Sequence, residues 1–350
     1  MKAREFHSSM PGYRPSPLVD LPALATELAV GAMLVKDESE RLGLPAFKIL
    51  GASWAVNCAL SKYGGYAEPA TNLTDLRSRL GNPPITLVTA TDGNHGRAVA
   101  RMAHHLGLVA RIYVPAGTAE KTLKAIASEG AQVVETGLRY DDVVRTAANS
   151  TANKPDEILI QDTAWPGYEE IPQWIVDGYG TMFSEIDAQL GERVPDLIAV
   201  PTGVGSLLLA ALQHRPSTSS GHMRTSSGHR PAVLAVEPVT AACVTASLAA
   251  HAQISVDTSV PTIMAGLNCG TISTIAWPAI RDHLEAAVTV TDDQARLAMQ
   301  RLHELGIPAG PSGAASLAGV RAALTDAGQR VALAIDADSV VVLISTEGSV

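Results

Sequence analysis

Lys48 stands in the run Leu-Pro-Ala-Phe-Lys-Ile-Leu-Gly-Ala-Ser-Trp at 44–54, between Phe47 and Ile49. An ammonium with such neighbours is partly desolvated, which lowers its pKa and makes the neutral amine available to attack a carbonyl. That is the chemistry of a Schiff-base lysine. Taken alone, the plainer reading is a snorkelling lysine before a helix over 53–62, with its stem buried and its head in water.

Other stretches move the balance toward chemistry. At 89–97 the chain reads Thr-Ala-Thr-Asp-Gly-Asn-His-Gly-Arg, where a strand ends and a helix begins. Either Asp92 or Asn94 suffices to cap that helix, and Gly93 to make the turn. An acid, an amide and two glycines together crowd the strand's C-terminal end, which in open α/β sheets is the ligand side. Pro-Thr-Gly203-Val204-Gly205-Ser206 links a further strand to a helix. Its small residues let a backbone approach closely, and N–H groups at a helix N-terminus cradle a phosphate. No third glycine follows, so the dinucleotide fingerprint fails and a small phosphate fits better. Ile-Gln-Asp162-Thr-Ala-Trp at 160–165 leaves an acid at another strand end, and Ile-Ser345-Thr346-Glu-Gly closes the last strand. By themselves these two read as a surface Asx turn and a polar C-terminal turn.

Composition narrows the setting. The chain has 350 residues, 46% of them hydrophobic and 4% aromatic, enough for one large or two medium domains with an α/β core. Lys and Arg number 26 against 35 Asp and Glu, a net charge of -9 without a basic cluster, so the footprint of a nucleic-acid binder is missing. Apolar runs are too short for a membrane span, and the N-terminus lacks a signal-peptide core, which makes a cytoplasmic protein the expectation. Cys58, Cys243 and Cys269 form no C-x-x-C pair, and the ten histidines show no H-E-x-x-H spacing, so no metal site is expected. No G-x-S-x-G elbow supports a hydrolase.

The elements that must position these groups follow from periodicity. Strands at 85–89, 109–114, 132–135 and 158–161 alternate with helices at 96–105, 119–129 and 140–149, which predicts βαβ units and a four-stranded parallel sheet. This block, 84–164, reads as a small domain inserted into a larger one made of 1–83 and 165–350. The larger part is expected to hold strands at 32–36, 196–200, 232–236 and 340–344, with helices at 22–28, 169–189, 206–213, 240–250, 292–305 and 313–324. The acidic Asp37-Glu38-Ser39 would lie at a strand's ligand end. Thr-Ser-Ser-Gly-His occurs at 218–222 and again at 225–229, so 214–230 is expected to be an exposed low-complexity loop.

Together, Ala-Phe-Lys-Ile-Leu-Gly, Asp-Gly-Asn-His-Gly, Gly-Val-Gly and the terminal Ser-Thr-Glu-Gly resemble the pyridoxal 5'-phosphate (PLP) enzymes of fold type II. Asp-Thr-Ala-Trp with Ile-Pro-Gln-Trp-Ile within 161–179, and Thr-Ile-Met-Ala-Gly-Leu-Asn-Cys-Gly at 262–270, bring the resemblance closest to the diaminopropionate ammonia-lyases. The resemblance implies two three-layer α/β/α domains, PLP on Lys48, Asn94 on the cofactor's phenolic oxygen, and the phosphate on Gly203, Val204, Gly205 and Ser206. Ser345 or Thr346 would face the pyridine nitrogen. Asp92 would be the base for a D-substrate and Lys48 for the L-substrate, with Asp162 binding the substrate's amino groups or helping ammonia depart. It further implies a homodimer that eliminates the β-amino group of 2,3-diaminopropionate, giving pyruvate and ammonia. General base catalysis of this kind contributes about 10² to 10⁴ in rate. A serine/threonine dehydratase, or a non-catalytic metabolite-binding relative, are the alternatives. Pro311 stands where the resemblance leads one to expect Glu, and the 214–230 repeat is foreign to the pattern.

Overall fold

A computed structural model describes residues 2–81, 83–214 and 231–349. The repeat expected as an exposed loop lies outside the described residues, apart from His214, which ends a helix. Among the described residues ten strands occur in chain order: β1 Leu18–Asp20, β2 Ala32–Asp37, β3 Thr86–Ala90, β4 Val109–Val114, β5 Gln132–Glu135, β6 Glu157–Leu159, β7 Leu197–Pro201, β8 Ala232–Pro238, β9 Ala286–Val290 and β10 Val340–Ser345. The chain divides into two compact units.

The first unit comprises the N-terminal segment to residue 14, then 42–44 and 48–181. Its sheet has the order β5-β4-β3-β6, with every pairing parallel, as the alternation predicts. The helix Tyr140–Thr151 sets Val143, Val144 and Ala147 against Val88, Ala90 and Leu159 of the sheet. The unit is larger than the 84–164 block, because the helix Lys48–Tyr63 packs on the helix Asn94–Leu106 and the first part of the helix Glu170–Leu190 joins them. Two glycines allow this: a Cβ on Gly51 would lie 2.5 Å from the Tyr179 ring, and one on Gly178 would lie 2.4 Å from the Leu50 carbonyl oxygen. Pro172 falls in the first turn of its helix, where a missing N–H costs nothing.

The second unit comprises 15–41, 45–47 and the chain from 182 onward. Its sheet runs β1-β2-β10-β7-β8-β9, parallel except for the short edge strand β1, which pairs antiparallel with β2. β7 and β8 are buried at every residue, the signature of a parallel sheet covered on both faces. The helix Pro311–Thr325 packs on β7 through β10, and the helix Ser206–His214 on β7 and β8. Met33, Val35, Leu234, Val236, Val341 and Leu343 share one core with the first of these helices. Each such side chain contributes roughly 1.5–3 kcal/mol on burial.

At the end of β2 the expectation of a ligand-facing acid fails for Glu38. Glu38, Arg41, Lys36 and Glu185 are all buried and bonded to one another, with Arg41 Nη2 2.8 Å from Glu185 Oε2, Lys36 Nζ 2.8 Å from the same oxygen, and Ser16 Oγ donating to Glu38 Oε1 at 2.5 Å. Two cations and two anions cancel, and the Glu38 backbone N–H donates to Ser345 O at 2.9 Å, tying the cluster to the end of β10.

Candidate active site

In the first unit the C-terminal ends of β3 and β6, adjacent in the sheet, bring Asp92 and Asp162 to one edge. Lys48 is the first residue of the helix Lys48–Tyr63, five residues earlier than the expected start. Its ammonium donates to Asp162 Oδ2 at 2.7 Å. The local-neighbour argument for a depressed lysine is therefore overturned. Burial pulls Lys48 down, but Asp162, Tyr179 and Asp92 together raise it by more, and the pKa lies above the ordinary value. Asp162 in turn is held well below the usual carboxylate range: burial pushes it up, and Lys48, His95 and a backbone hydrogen bond together more than offset this. Its side chain is only 7% exposed, so it is no surface turn.

The N-cap position of the helix Asn94–Leu106 is Gly93, between the two candidates. Thr91 Oγ1 accepts the backbone N–H groups of Gly93 at 2.9 Å and Gly96 at 3.0 Å, which leaves Asp92 exposed and Asn94 half-buried at the helix start. Three supporting residues escaped the sequence reading. Gln161 Nε2 donates to Asp162 Oδ1 at 3.2 Å while its Oε1 accepts from Ala90 N at 3.0 Å, fixing the carboxylate's orientation. Tyr179 is buried over Gly51, and burial raises its phenol. His95 is buried beside Asp162, with Nδ1 3.9 Å from Oδ2. The His of Asp-Gly-Asn-His-Gly was visible in the sequence, but its partners were not.

In the second unit the Gly203–Gly205 turn follows β7, next to β10 in the sheet, and leads into the helix Ser206–His214. A Cβ on Gly203 would lie 3.0 Å from Cys269 Sγ and 3.1 Å from Gly266 O, and Gly205 has φ +91°. Val204 O accepts from Ser273 N at 2.8 Å, which pins the turn to the 262–274 loop. Ser345 ends β10 opposite Asp37, fully buried, with an Oγ that has no hydrogen-bond partner. Thr346 is also buried, and its carbonyl accepts from Phe47 N at 3.3 Å. Among the described residues no cluster of three or more His, Cys, Asp or Glu side chains is placed to hold a metal ion, and no helix is long and apolar enough to cross a membrane.

Each unit carries groups that suit pyridoxal phosphate: the first an amine that can take an aldehyde, the second a backbone turn with no room for a side chain at Gly203 and the buried Ser345 hydroxyl without a hydrogen-bond partner. The chain belongs to the pyridoxal-phosphate dependent enzyme family, which it matches over residues 10–347, and PLP is its cofactor. Within that fold-type II class it is 37% identical over 357 residues to the diaminopropionate ammonia-lyase of Escherichia coli K12, an alignment covering 99% of this chain and 87% of the relative. The crystal structure of the Escherichia coli diaminopropionate ammonia lyase in complex with D-serine superposes with a TM-score of 0.87 at 34% identity, covering 99% of this chain and 88% of the other. The same enzyme in complex with an aminoacrylate–PLP azomethine reaction intermediate gives a TM-score of 0.85 at 34% identity, with the same coverage of both chains.

Proposed function

We propose that this chain is an ammonia-lyase that converts 2,3-diaminopropionate and one water into pyruvate and two molecules of ammonia. One observation carries the reading: Lys48 is held at 2.7 Å by the buried carboxylate of Asp162, with Asp92 acting on the same lysine. One amine faced by two acids suits a substrate that brings two amines of its own. When Lys48 is engaged elsewhere, Asp162 is left to receive a substrate ammonium.

PLP, when bound, supplies the electron sink that lets the Cα–H bond break and the β-amine leave. Lys48 would hold it covalently and serve as the base for the L-isomer. Asp92, exposed and within electrostatic reach of Lys48, would serve as the base for the D-isomer. Asn94 would donate to the cofactor's phenolic oxygen, and the backbone from Gly203 through Val204 and Gly205 to Ser206 would take the phosphate. The unpartnered hydroxyl of Ser345 supports giving it, rather than Thr346, the pyridine nitrogen. The molecule works as a cytoplasmic homodimer in this reading, and sedimentation equilibrium tests the dimer.

The test is a visible absorbance spectrum of the purified holoenzyme, with pyruvate assayed from D- and L-2,3-diaminopropionate separately. Lys48→Ala loses the cofactor band and both activities; Asp92→Asn loses turnover of the D-isomer selectively, by roughly 10²-fold or more. Pyruvate from L-serine or L-threonine alone would leave fold and cofactor standing and replace the substrate.

A further inference from the structure

His95 is 2% exposed, and its two ring nitrogens face different atoms. Nε2 lies 2.7 Å from the carbonyl oxygen of Ile160. A carbonyl can only accept, so Nε2 carries the proton and donates it. In the neutral ring Nδ1 is then a bare lone pair. It is buried, has no hydrogen-bond partner, and sits 3.9 Å from Asp162 Oδ2. A lone pair facing a carboxylate at that distance is poor electrostatics, tolerable only because the Lys48 ammonium neutralises the same carboxylate oxygen at 2.7 Å.

That arrangement cannot outlast the working of the lysine. An amine that bonds a cofactor or acts as a base gives up its proton or its place beside Asp162. The carboxylate, 7% exposed, would keep the Gln161 amide but lose its counter-charge, which is strongly unfavourable for a buried ion. We propose that His95 is the reserve cation of this cluster: as Lys48 gives up its ammonium proton, Asp162 passes that proton to Nδ1 of His95, and the imidazolium keeps Asp162 ionised and paired. One N–H bond breaks at Nζ, one forms at Nδ1, and the charge of the three-residue cluster is unchanged. His95 is thus a positioning residue, acting through Asp162. The charged groups that act on it are Asp162, which favours the imidazolium, and Lys48, which opposes it; burial is the largest effect and keeps the ring neutral while both ions are present. The proposal rests on the reading of Lys48 as the cofactor lysine only for when the transfer occurs, since the electrostatic exchange exists without cofactor.

Imidazole ¹⁵N NMR of histidine-labelled protein tests it, with the His95 signal assigned by its loss in His95→Gln. In cofactor-free wild-type protein at neutral pH, His95 is expected as the neutral Nε2–H tautomer. In cofactor-free Lys48→Met its pKa rises far enough for the imidazolium to appear at pH 6 and above, because Asp162 acts on the ring with no ammonium to cancel it. Lys48→Arg keeps His95 neutral, and Lys48→Met combined with Asp162→Asn makes it neutral again. A His95 that stays neutral to pH 6 in Lys48→Met overturns the proposal. Should Lys48→Met fail to fold, wild-type holoenzyme decides: loading with PLP protonates His95 at neutral pH, and a ring that stays neutral through loading refutes the idea. Borohydride reduction followed by peptide mapping separates the two readings, because absence of an adduct on Lys48 removes the cofactor assignment while the Lys48→Met comparison still judges His95.

Discussion

Asp162→Asn removes a charge and almost no volume, so its effect isolates the electrostatics of the Lys48 pair. The folded variant has two options at pH 7.5. It can keep a mostly buried ammonium without its principal partner, which costs roughly 3–5 kcal/mol for a fully buried ion. Alternatively it can release the proton, which for a lysine of ordinary pKa near 10.4 costs about 4 kcal/mol at that pH. Lys48 is 22% exposed, so water and the more weakly acting Asp92 reduce the first figure. The expected loss at pH 7.5 is about 3 kcal/mol.

The two routes differ in their pH dependence. In the wild type Lys48 is raised above its unfolded value, so its contribution is complete below about pH 10 and is lost only as pH climbs toward the folded value. Asp162 is depressed, so its contribution is complete above about pH 4 and fades as pH falls toward the folded value. Between these limits the pair gives a flat stability profile. A variant that folds with neutral Lys48 releases a proton on folding, so its stability rises by about 1.4 kcal/mol per pH unit up to about pH 10. The deficit should therefore shrink to roughly 1 kcal/mol by pH 9.5. Urea denaturation of cofactor-free protein at four values from pH 6.5 to 9.5 measures it. A deficit that does not change with pH over this range would mean that the variant takes the first route and keeps its ammonium buried. No deficit at pH 7.5 would mean that Lys48 is solvated and the site reading built on its pairing is wrong.

The buried cluster of the second unit should respond more steeply. Glu185→Gln leaves Lys36 and Arg41 against Glu38 alone, with an expected loss of about 3–5 kcal/mol and a fall in Tm of about 6–20 °C by calorimetry. Adding Lys36→Met restores neutrality and should recover much of it; strictly additive losses would contradict the network. Gly203→Ala forces a methyl to within 3.0 Å of Cys269 Sγ, an overpacking of about 1–3 kcal/mol. If the turn holds the phosphate, PLP dissociation constants measured by equilibrium dialysis weaken by about 5- to 150-fold, and an unchanged constant would place the phosphate elsewhere.

How far the chain discloses itself before folding depends on the range of the cause. β4 and β5 agree with expectation to the residue because each is a short run rich in β-branched residues between helical segments, a property of consecutive positions. The start of the helix at Lys48 escaped because Phe47 offers no capping side chain and Gly51 reads as a breaker, when it is the point where Tyr179 crosses. The helix Leu73–Leu80 was missed despite its cap, Asn72, whose side chain accepts from Asp75 N. β9, Ala-Ala-Val-Thr-Val, is too short and too alanine-rich to stand out from the loop before it. The candidate site divides the same way. Which residue types gather at strand ends is local and was legible, in Asp92, Asn94, Asp162 and the Gly203 turn. The protonation of those residues is not local. Phe47 and Ile49 argued for a depressed Lys48, and Asp162, 114 positions away, reverses the sign. Glu38 looked like a ligand because its partner Glu185 network is assembled from a distant helix. His95 lay in a motif read letter by letter, yet only the carbonyl of Ile160 fixes its tautomer. In this chain the sequence names the chemistry, and contacts across more than sixty positions decide which form of each group carries it out.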